Sequence, residues 1–229
     1  MIFFAHRGAG ALAVQNTISA FAKARAAGAR YYELDVHLTI DGQLVVHHDY
    51  SLKDTAGIDV QIGALTAAEL KKYPLKNSFS AESVFVPLLN EVLSIVVPGV
   101  ELLNIELKND GNKYPGIEQV LLQALPAKLL PKILFSSFDQ DTLARLRALA
   151  PEARIGLLTR AFNVREALSL RAESVHINQT RFTPKIAQTC HENGLKIYCY
   201  TVNDREAALR LQEQGADGIF TDYIQQFVQ

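Results

Sequence analysis

The stretch from Lys196 to Thr221, KIYCYTVNDREAALRLQEQGADGIFT, reads as a strand, a helix and a second strand. Its ends, KIYCYT and GIFT, are short apolar runs. Between them, DREAALRLQEQGA repeats its apolar residues at spacings of three and four. Asp204 stands where an N-cap accepts backbone N–H groups, and Gly215 stands where such a helix closes. The same unit recurs outward from this stretch. IFFAH, YYELDV, LLNIEL, KILFSS, RIGLLT and SVHIN are further strand candidates, making eight in all. NTISAFAKARAAGA, DQDTLARLRALAP, NVREALSLRA and TPKIAQTCHENG are further helical segments. Parallel strands need crossover connections, and strands buried on both faces read as continuous apolar runs. The alternation therefore predicts an α/β fold, a (β/α)8 TIM barrel; an open doubly wound sheet is the rival, and the count of eight favours closure.

One region breaks the rhythm. Residues 50–86 are polar and contain a single short helical pattern, TAAELKKY. We expect a small insertion after the second strand, placed at the barrel mouth, within a single domain spanning 1–229. No solenoid-period repeat and no low-complexity linker interrupts the chain.

The 229 residues are 48% hydrophobic and 21% charged, with a formal net charge of −1. That balance exerts no overall pull toward nucleic acid or anionic membrane, so any affinity for phosphate must be local. Cys190 and Cys199 have neither metal-ligand spacing nor the density of a disulfide scaffold, and read as buried thiols in a reducing compartment. The start, MIFFAHRGAG, has an apolar run of four residues and no basic leader, so we expect the chain to begin in its first strand and the protein to be cytoplasmic. The longest apolar candidate, LLNEVLSIVVPGV, is interrupted by Asn90, Glu91 and Pro98, so no stable membrane insertion is expected. The oligomeric state stays open, a homodimer included.

The chemistry concentrates in YELDVHLTIDGQLVVHHD, Tyr32 to Asp49. Alternate strand residues share a face, so Glu33 and Asp35 point the same way. Two converging carboxylates repel, and a divalent cation holds them together; oxygen ligands favour Mg²⁺ or Ca²⁺ over Zn²⁺. The plain alternative is a solvated edge strand. In LLNIELK, Asn104, Glu106 and Lys108 share a face among apolar neighbours, where an acid and a lysine are costly to bury unless paired or liganded. Glu106 is then a third candidate ligand, and Lys108 a positive charge for a bound anion; a simple Glu–Lys pair at a strand end is the alternative. AHRG places His6 and Arg7 after the first strand, with Gly8 permitting a sharp turn. VVHHD places His47 and His48 after an Asp-Gly turn suited to a tight hairpin. Imidazoles beside a metal can divide general base and general acid work, and Arg7 offers a donor fork suited to phosphate.

Taken together, AHRGAG, NTISAFAKARAAGA, ELDVHLTIDGQLVVHHD, NIELK, YTVND and GADGIFTDY resemble the glycerophosphodiester phosphodiesterases, in the right order over nearly the whole chain. The resemblance implies a TIM barrel with an insertion after the second strand. It also implies hydrolysis of a small-molecule glycerophosphodiester to sn-glycerol 3-phosphate and an alcohol, with one divalent cation: Mg²⁺ or Ca²⁺, with Mn²⁺ a further candidate. Carried over position by position, Glu33, Asp35 and Glu106 match the metal-binding acids, and His6 and His48 the catalytic histidines, with His47 facing away. Arg7 and Lys108 match phosphate-contacting positions. His37 shares the face of Asp35 but falls at a variable position of the pattern.

Two positions depart from the pattern. Val14-Gln15-Asn16-Thr17 stands where the family usually reads Pro-Glu-Asn-Thr, so Gln15 offers hydrogen bonds but no negative charge near the site. Tyr200 replaces a usual tryptophan and keeps an aromatic wall. Phe138 and Tyr200 are candidate contacts for the glycerol face, with plain core packing as the alternative. By analogy with related barrel phospholipases, His6 reads as the base and His48 as the acid. The other functional readings are a phospholipase D acting on lysophospholipids and a phosphodiester-binding barrel with impaired catalysis, the latter supported only by Gln15.

Overall fold

The computed structural model describes residues 1–228. Eight parallel strands close on themselves: β1 (Ile2–Ala5), β2 (Tyr31–Leu38), β4 (Leu102–Leu107), β5 (Ile133–Ser137), β6 (Arg154–Thr159), β7 (Ser174–Asn178), β8 (Lys196–Tyr200) and β9 (Gly218–Thr221). The order β1-β9-β8-β7-β6-β5-β4-β2 is completed by a β1–β2 pairing, which excludes the open sheet. That closing contact is a single register pair, Ala5 with Tyr32. Beyond it β1 has ended while β2 runs on, and the free edge of β2 is taken up by antiparallel β3 (Leu44–Val46) through Val36–Leu38.

The helices begin where the sequence supplies a capping oxygen. Thr17 accepts from Ala20 N–H ahead of α1 (Ile18–Ala26), and Asp139 from Thr142 N–H ahead of α6 (Gln140–Leu149). Asn163, Thr183 and Asp204 do the same for α7 (Val164–Ser169), α8 (Pro184–Glu192) and α9 (Arg205–Glu213). Each such bond satisfies one of the orphaned N–H groups of the first turn. α4 (Leu89–Val96) and α5 (Ile117–Ala124) start without a polar cap residue: Leu88 and Gly116 stand there, and at α4 Glu91 Oε2 instead accepts from the Leu88 N–H at 2.7 Å.

Two separate apolar layers hold the barrel. The larger lies between strands and helices and includes Phe21, Leu34, Val92, Leu121 and Leu146. The other is made of Phe4, Leu102, Leu134, Tyr198 and Phe220, every one from a strand, as the filled interior of a small barrel requires. Between β3 and α4 the chain forms α2 (Lys53–Ala56) and α3 (Ala67–Leu70), the latter opened by a capping box of Thr66 and Glu69. Val45, Leu52, Ile62, Leu70 and Val86 form a third cluster under this segment.

Candidate active site

His6, Arg7, Lys108 and Phe138 directly follow barrel strands and Tyr200 ends one, at the C-terminal end where this architecture places its loops, whereas Glu33, Asp35 and Glu106 lie within β2 and β4. His6 and Arg7 directly follow β1. Arg7 has φ +56° and Gly8 φ +85°, so the chain turns sharply out of the strand. A Cβ on Gly8 would lie 2.7 Å from the Ala20 backbone, which makes glycine necessary for the close approach of α1 as well as for the turn. The turn aims the Arg7 backbone N–H at Glu33 Oε2, 2.9 Å away.

Register then gathers the acids. Asp35 on β2 pairs laterally with Glu106 on β4, one residue pair beyond Leu34 and Ile105. Oxygens of Glu33, Asp35 and Glu106 lie within 4.8 Å of one another, and all three residues are buried. Lys108 Nζ sits 2.6 Å from Glu106 Oε1 and 3.2 Å from Asp35 Oδ1, and Arg7 Nε sits 3.2 Å from Asp35 Oδ2. Asn16 Nδ2 donates to Asp35 Oδ2 at 2.8 Å.

These contacts divide the three acids electrostatically. Burial alone would raise all of them. Lys108 and Arg7 overcome it at Asp35 and hold that carboxyl well below the usual range. Glu106 is raised to about 7 by burial and Asp35, against the pull of Lys108. Glu33 is pushed well above its ordinary value by burial and by Asp35. Three carboxylates thus face two cations, and the uncompensated charge falls on Glu33 and Glu106. Asp35 Oδ1 and Asn104 Oδ1 are buried without an aligned hydrogen bond among the described residues. An all-oxygen donor set with surplus negative charge and unspent acceptors fits a hard divalent cation.

Two histidines face this cluster, each backed by a carboxylate. His6 Nδ1 meets Asp222 Oδ1 at 2.7 Å, and His48 Nδ1 meets Asp49 Oδ1 at 2.7 Å. With Nδ1 engaged, Nε2 is the free nitrogen of each ring. Burial and Arg7 lower the His6 pKa despite Asp222. Burial also lowers His48, opposed chiefly by Asp35.

One cavity of about 170 Å³ is lined by His6, Arg7, Glu33, His48, Glu106 and Lys108 together with Phe138 and Tyr200, and Asp35 lies fully buried beside them. Phe138 and Tyr200 meet edge to face at 6.2 Å, and with Leu158 and Phe220 they form an apolar wall opposite the charged one. Gln15 is placed elsewhere. It accepts from Arg7 Nη1 at 2.9 Å and faces a neighbouring cavity. His47 turns away, with Nε2 3.2 Å from Thr55 Oγ1.

The structure adds residues that motif reading passed over. Asp222, Asp49 and Asn16 orient His6, His48 and Asp35. His37 stands behind the site: its Nε2 lies 3.3 Å from the His48 carbonyl and its Nδ1 2.9 Å from the Tyr114 hydroxyl. Asp222 lies in the quoted GADGIFTDY, yet only its meeting with His6 across 216 positions gives it a role.

An acidic trio, two carboxylate-backed histidines and two basic side chains at the mouth of a β/α barrel define a phosphodiesterase-type site. The chain belongs to the glycerophosphoryl diester phosphodiesterase family, whose pattern matches residues 6–226. It is 34% identical over 227 residues to a glycerophosphodiester phosphodiesterase of Caldanaerobacter subterraneus subsp. tengcongensis, covering 96% of this chain and 93% of that protein. Its fold is similar to that of an Oleispira antarctica phosphodiesterase solved in complex with the product sn-glycerol-3-phosphate, with TM-score 0.89, 31% identity and coverage of 99% and 94%. A glycerophosphodiester phosphodiesterase of Thermotoga maritima superposes with TM-score 0.80 at 29% identity, covering 99% of this chain and 96% of that one.

Proposed function

We propose that the protein is a metal-dependent, cytoplasmic glycerophosphodiester phosphodiesterase releasing sn-glycerol 3-phosphate and an alcohol. The observation that carries this reading is the convergence of Glu33, Asp35 and Glu106 with two carboxylate-backed histidines around one cavity. Glu33, Asp35 and Glu106 would hold Mg²⁺ or Ca²⁺, with Mn²⁺ a further candidate. When bound, that cation would supply Lewis-acid stabilisation of charge on the phosphoryl oxygens. Charge balance supports the set: a divalent cation and a singly charged diester would together neutralise three carboxylates and two basic side chains.

Arg7 and Lys108 would hold the non-bridging oxygens and steady the charge that develops on them. Phe138, Leu158 and Tyr200 would receive the glycerol carbons. His6, kept neutral by burial and held by Asp222, suits the base: its Nε2 takes the proton of the nucleophile, either water or the neighbouring glycerol hydroxyl. As the new P–O bond forms, the bond to the alcohol oxygen breaks and His48 Nε2 delivers a proton to that oxygen; where the glycerol hydroxyl attacks, water then opens the resulting cyclic phosphate, giving its proton to His48 while His6 returns one to the departing ring oxygen. Burial lowers the His48 pKa overall, and Asp35 and Asp49 work against it, toward the protonated form that this role needs. Gln15 spends its carbonyl on Arg7, so its lack of charge bears on Arg7 more than on a cation, which supports an active enzyme. The two free cysteines, both buried, agree with a reducing compartment. Among the described residues no helix is long and apolar enough to cross a membrane.

The test is release of sn-glycerol 3-phosphate from glycerophosphocholine and glycerophosphoethanolamine by metal-stripped protein, with Mg²⁺, Ca²⁺ or Mn²⁺ restored. Release should require the cation and fall by at least about 100-fold in Glu106→Ala. Folded protein inert with every cation would refute the reading and turn attention to lysophospholipids or a binding role.

A further inference from the structure

Behind the His48 side of the cavity, His37 on β2 makes contacts that the proposed reaction does not use. It is fully buried and lines no part of the cavity that holds His6, Arg7 and His48, so it does not touch a substrate there. Both ring nitrogens are nevertheless engaged. Nε2 lies 3.3 Å from the His48 carbonyl and Nδ1 2.9 Å from the Tyr114 hydroxyl. A carbonyl only accepts, so Nε2 carries the proton and donates to His48, while Nδ1 accepts from the Tyr114 O–H.

The bond matters because of where His48 stands. β3 ends at Val46, and the chain at His48 belongs to no strand or helix. Among the described residues no other hydrogen bond reaches the His48 backbone. The imidazole is held by Asp49, its immediate neighbour, which moves with the same stretch of chain and does not by itself fix the ring against the barrel. His37 can do so, because its own backbone stands opposite Val45 in the β2–β3 ladder. Its ring is in turn caged. Tyr50 and Tyr114 meet it edge to face at 5.1 and 5.5 Å. The Tyr50 hydroxyl accepts from the Asp110 N–H at 2.9 Å, and the Tyr114 N–H donates to Asn109 Oδ1 at 2.7 Å, which ties the cage to the loop after β4. A Cβ on Gly63 would lie 2.6 Å from the Tyr114 ring, so the segment between β3 and α4 also packs tightly on it.

We infer that His37 is a positioning residue for the reaction: through its bond to the His48 carbonyl it aims the His48 imidazole at the leaving oxygen, and Tyr114 fixes the tautomer that makes this bond. The inference rests on the activity proposed above, with His48 as its acid. A misaimed acid slows the reaction only where the departing oxygen needs a proton. The alkoxide of choline needs one, whereas p-nitrophenolate, stable at neutral pH, does not. The cost of losing His37 therefore depends on the leaving group, a dependence that a general loosening of the fold would not produce.

The experiment compares kcat/KM on two diesters of glycerol phosphate, the choline ester and the p-nitrophenyl ester, with the cation restored. His48→Ala sets the benchmark and should lose about 100-fold more on the choline ester than on the p-nitrophenyl ester. His37→Phe keeps a ring in the cage but removes both nitrogens, and should lose about tenfold more on the choline ester than on the other. His37→Gln, whose amide N–H can stand where Nε2–H stood, should recover most of that difference. Tyr114→Phe should show the same selective loss at about threefold, and it carries the test if melting temperatures show that His37→Phe does not fold. Equal losses on the two esters, no loss, or His37→Gln as selectively impaired as His37→Phe would overturn the positioning role. Equal losses for His48→Ala would instead refute His48 as the acid, and wild-type protein inert on both esters would refute the activity, the inference falling with either.

Discussion

Lys108 shows how much of this site is electrostatic. Its ammonium lies among the oxygens that would ligate a cation, 2.6 Å from Glu106 and 3.2 Å from Asp35, so it competes with a cation for the same negative charge. Asp35 and Glu106 in turn raise its pKa despite burial, so it stays charged across the accessible pH range. Lys108→Met should therefore bind a divalent cation about tenfold or more tightly while losing kcat/KM, because the same ammonium is needed on the phosphate. Calorimetric titration of metal into stripped protein reads the first effect without turnover. Unchanged or weaker binding would mean that Lys108 orders the acids more than it opposes the cation. At this scale the acids were legible, since alternation along YELDV and NIELK places them on one face. Asp222 and the Gln15–Arg7 bond were not, because each depends on where a loop ends in space.

Helix starts were legible where a polar side chain does the capping. Asp139 is the clearest case, accepting from Thr142 N–H at 2.7 Å and also from Gly111 N–H at 3.0 Å in the loop after β4. It therefore ties two adjacent β/α loops at the barrel mouth. Removing it in Asp139→Ala should cost about 1–2 kcal/mol and lower the melting temperature by roughly 2–8 °C, whereas Asp139→Asn should retain much of the cap. Equal melting temperatures for the alanine variant and wild type would contradict this account. Four-residue α2 was not legible, since it is too short for apolar periodicity and buries no residue of its own.

For the molecule as a whole, closure packs histidine into the barrel interior. His176 on β7 packs at tilted angles against Tyr198 and Phe220, with ring centroids 5.3 and 5.1 Å away, and bonds Ser174 Oγ at 2.9 Å. Burial lowers its pKa to about 3. An unfolded chain takes up a proton there near pH 6.5 that the native barrel refuses, so stability is full above that pH and declines as pH falls toward about 3. Each pH unit well inside this window costs about 1.4 kcal/mol for this one group. Burial lowers His37 to about 3 and His47 to about 4, and both add to the same trend. Urea unfolding of metal-stripped protein at pH 7.5, 6 and 5 should show a shallower decline for His176→Gln than for wild type. Parallel declines would show that His176 does not contribute.

Strand and helix alternation, capping residues and the common face of the acids are local properties, spelled by neighbours a few positions apart, and the amino-acid sequence alone determined them. Eight such strands also implied closure, though the single Ala5–Tyr32 pair that achieves it is a matter of register. The backing of His6 by Asp222, the withdrawal of Gln15 behind Arg7 and the neighbouring cavity that Gln15 faces were decided only by the tertiary structure. Each joins loops far apart in the chain, whose paths are set by packing against the barrel rim and leave no periodic trace in the sequence.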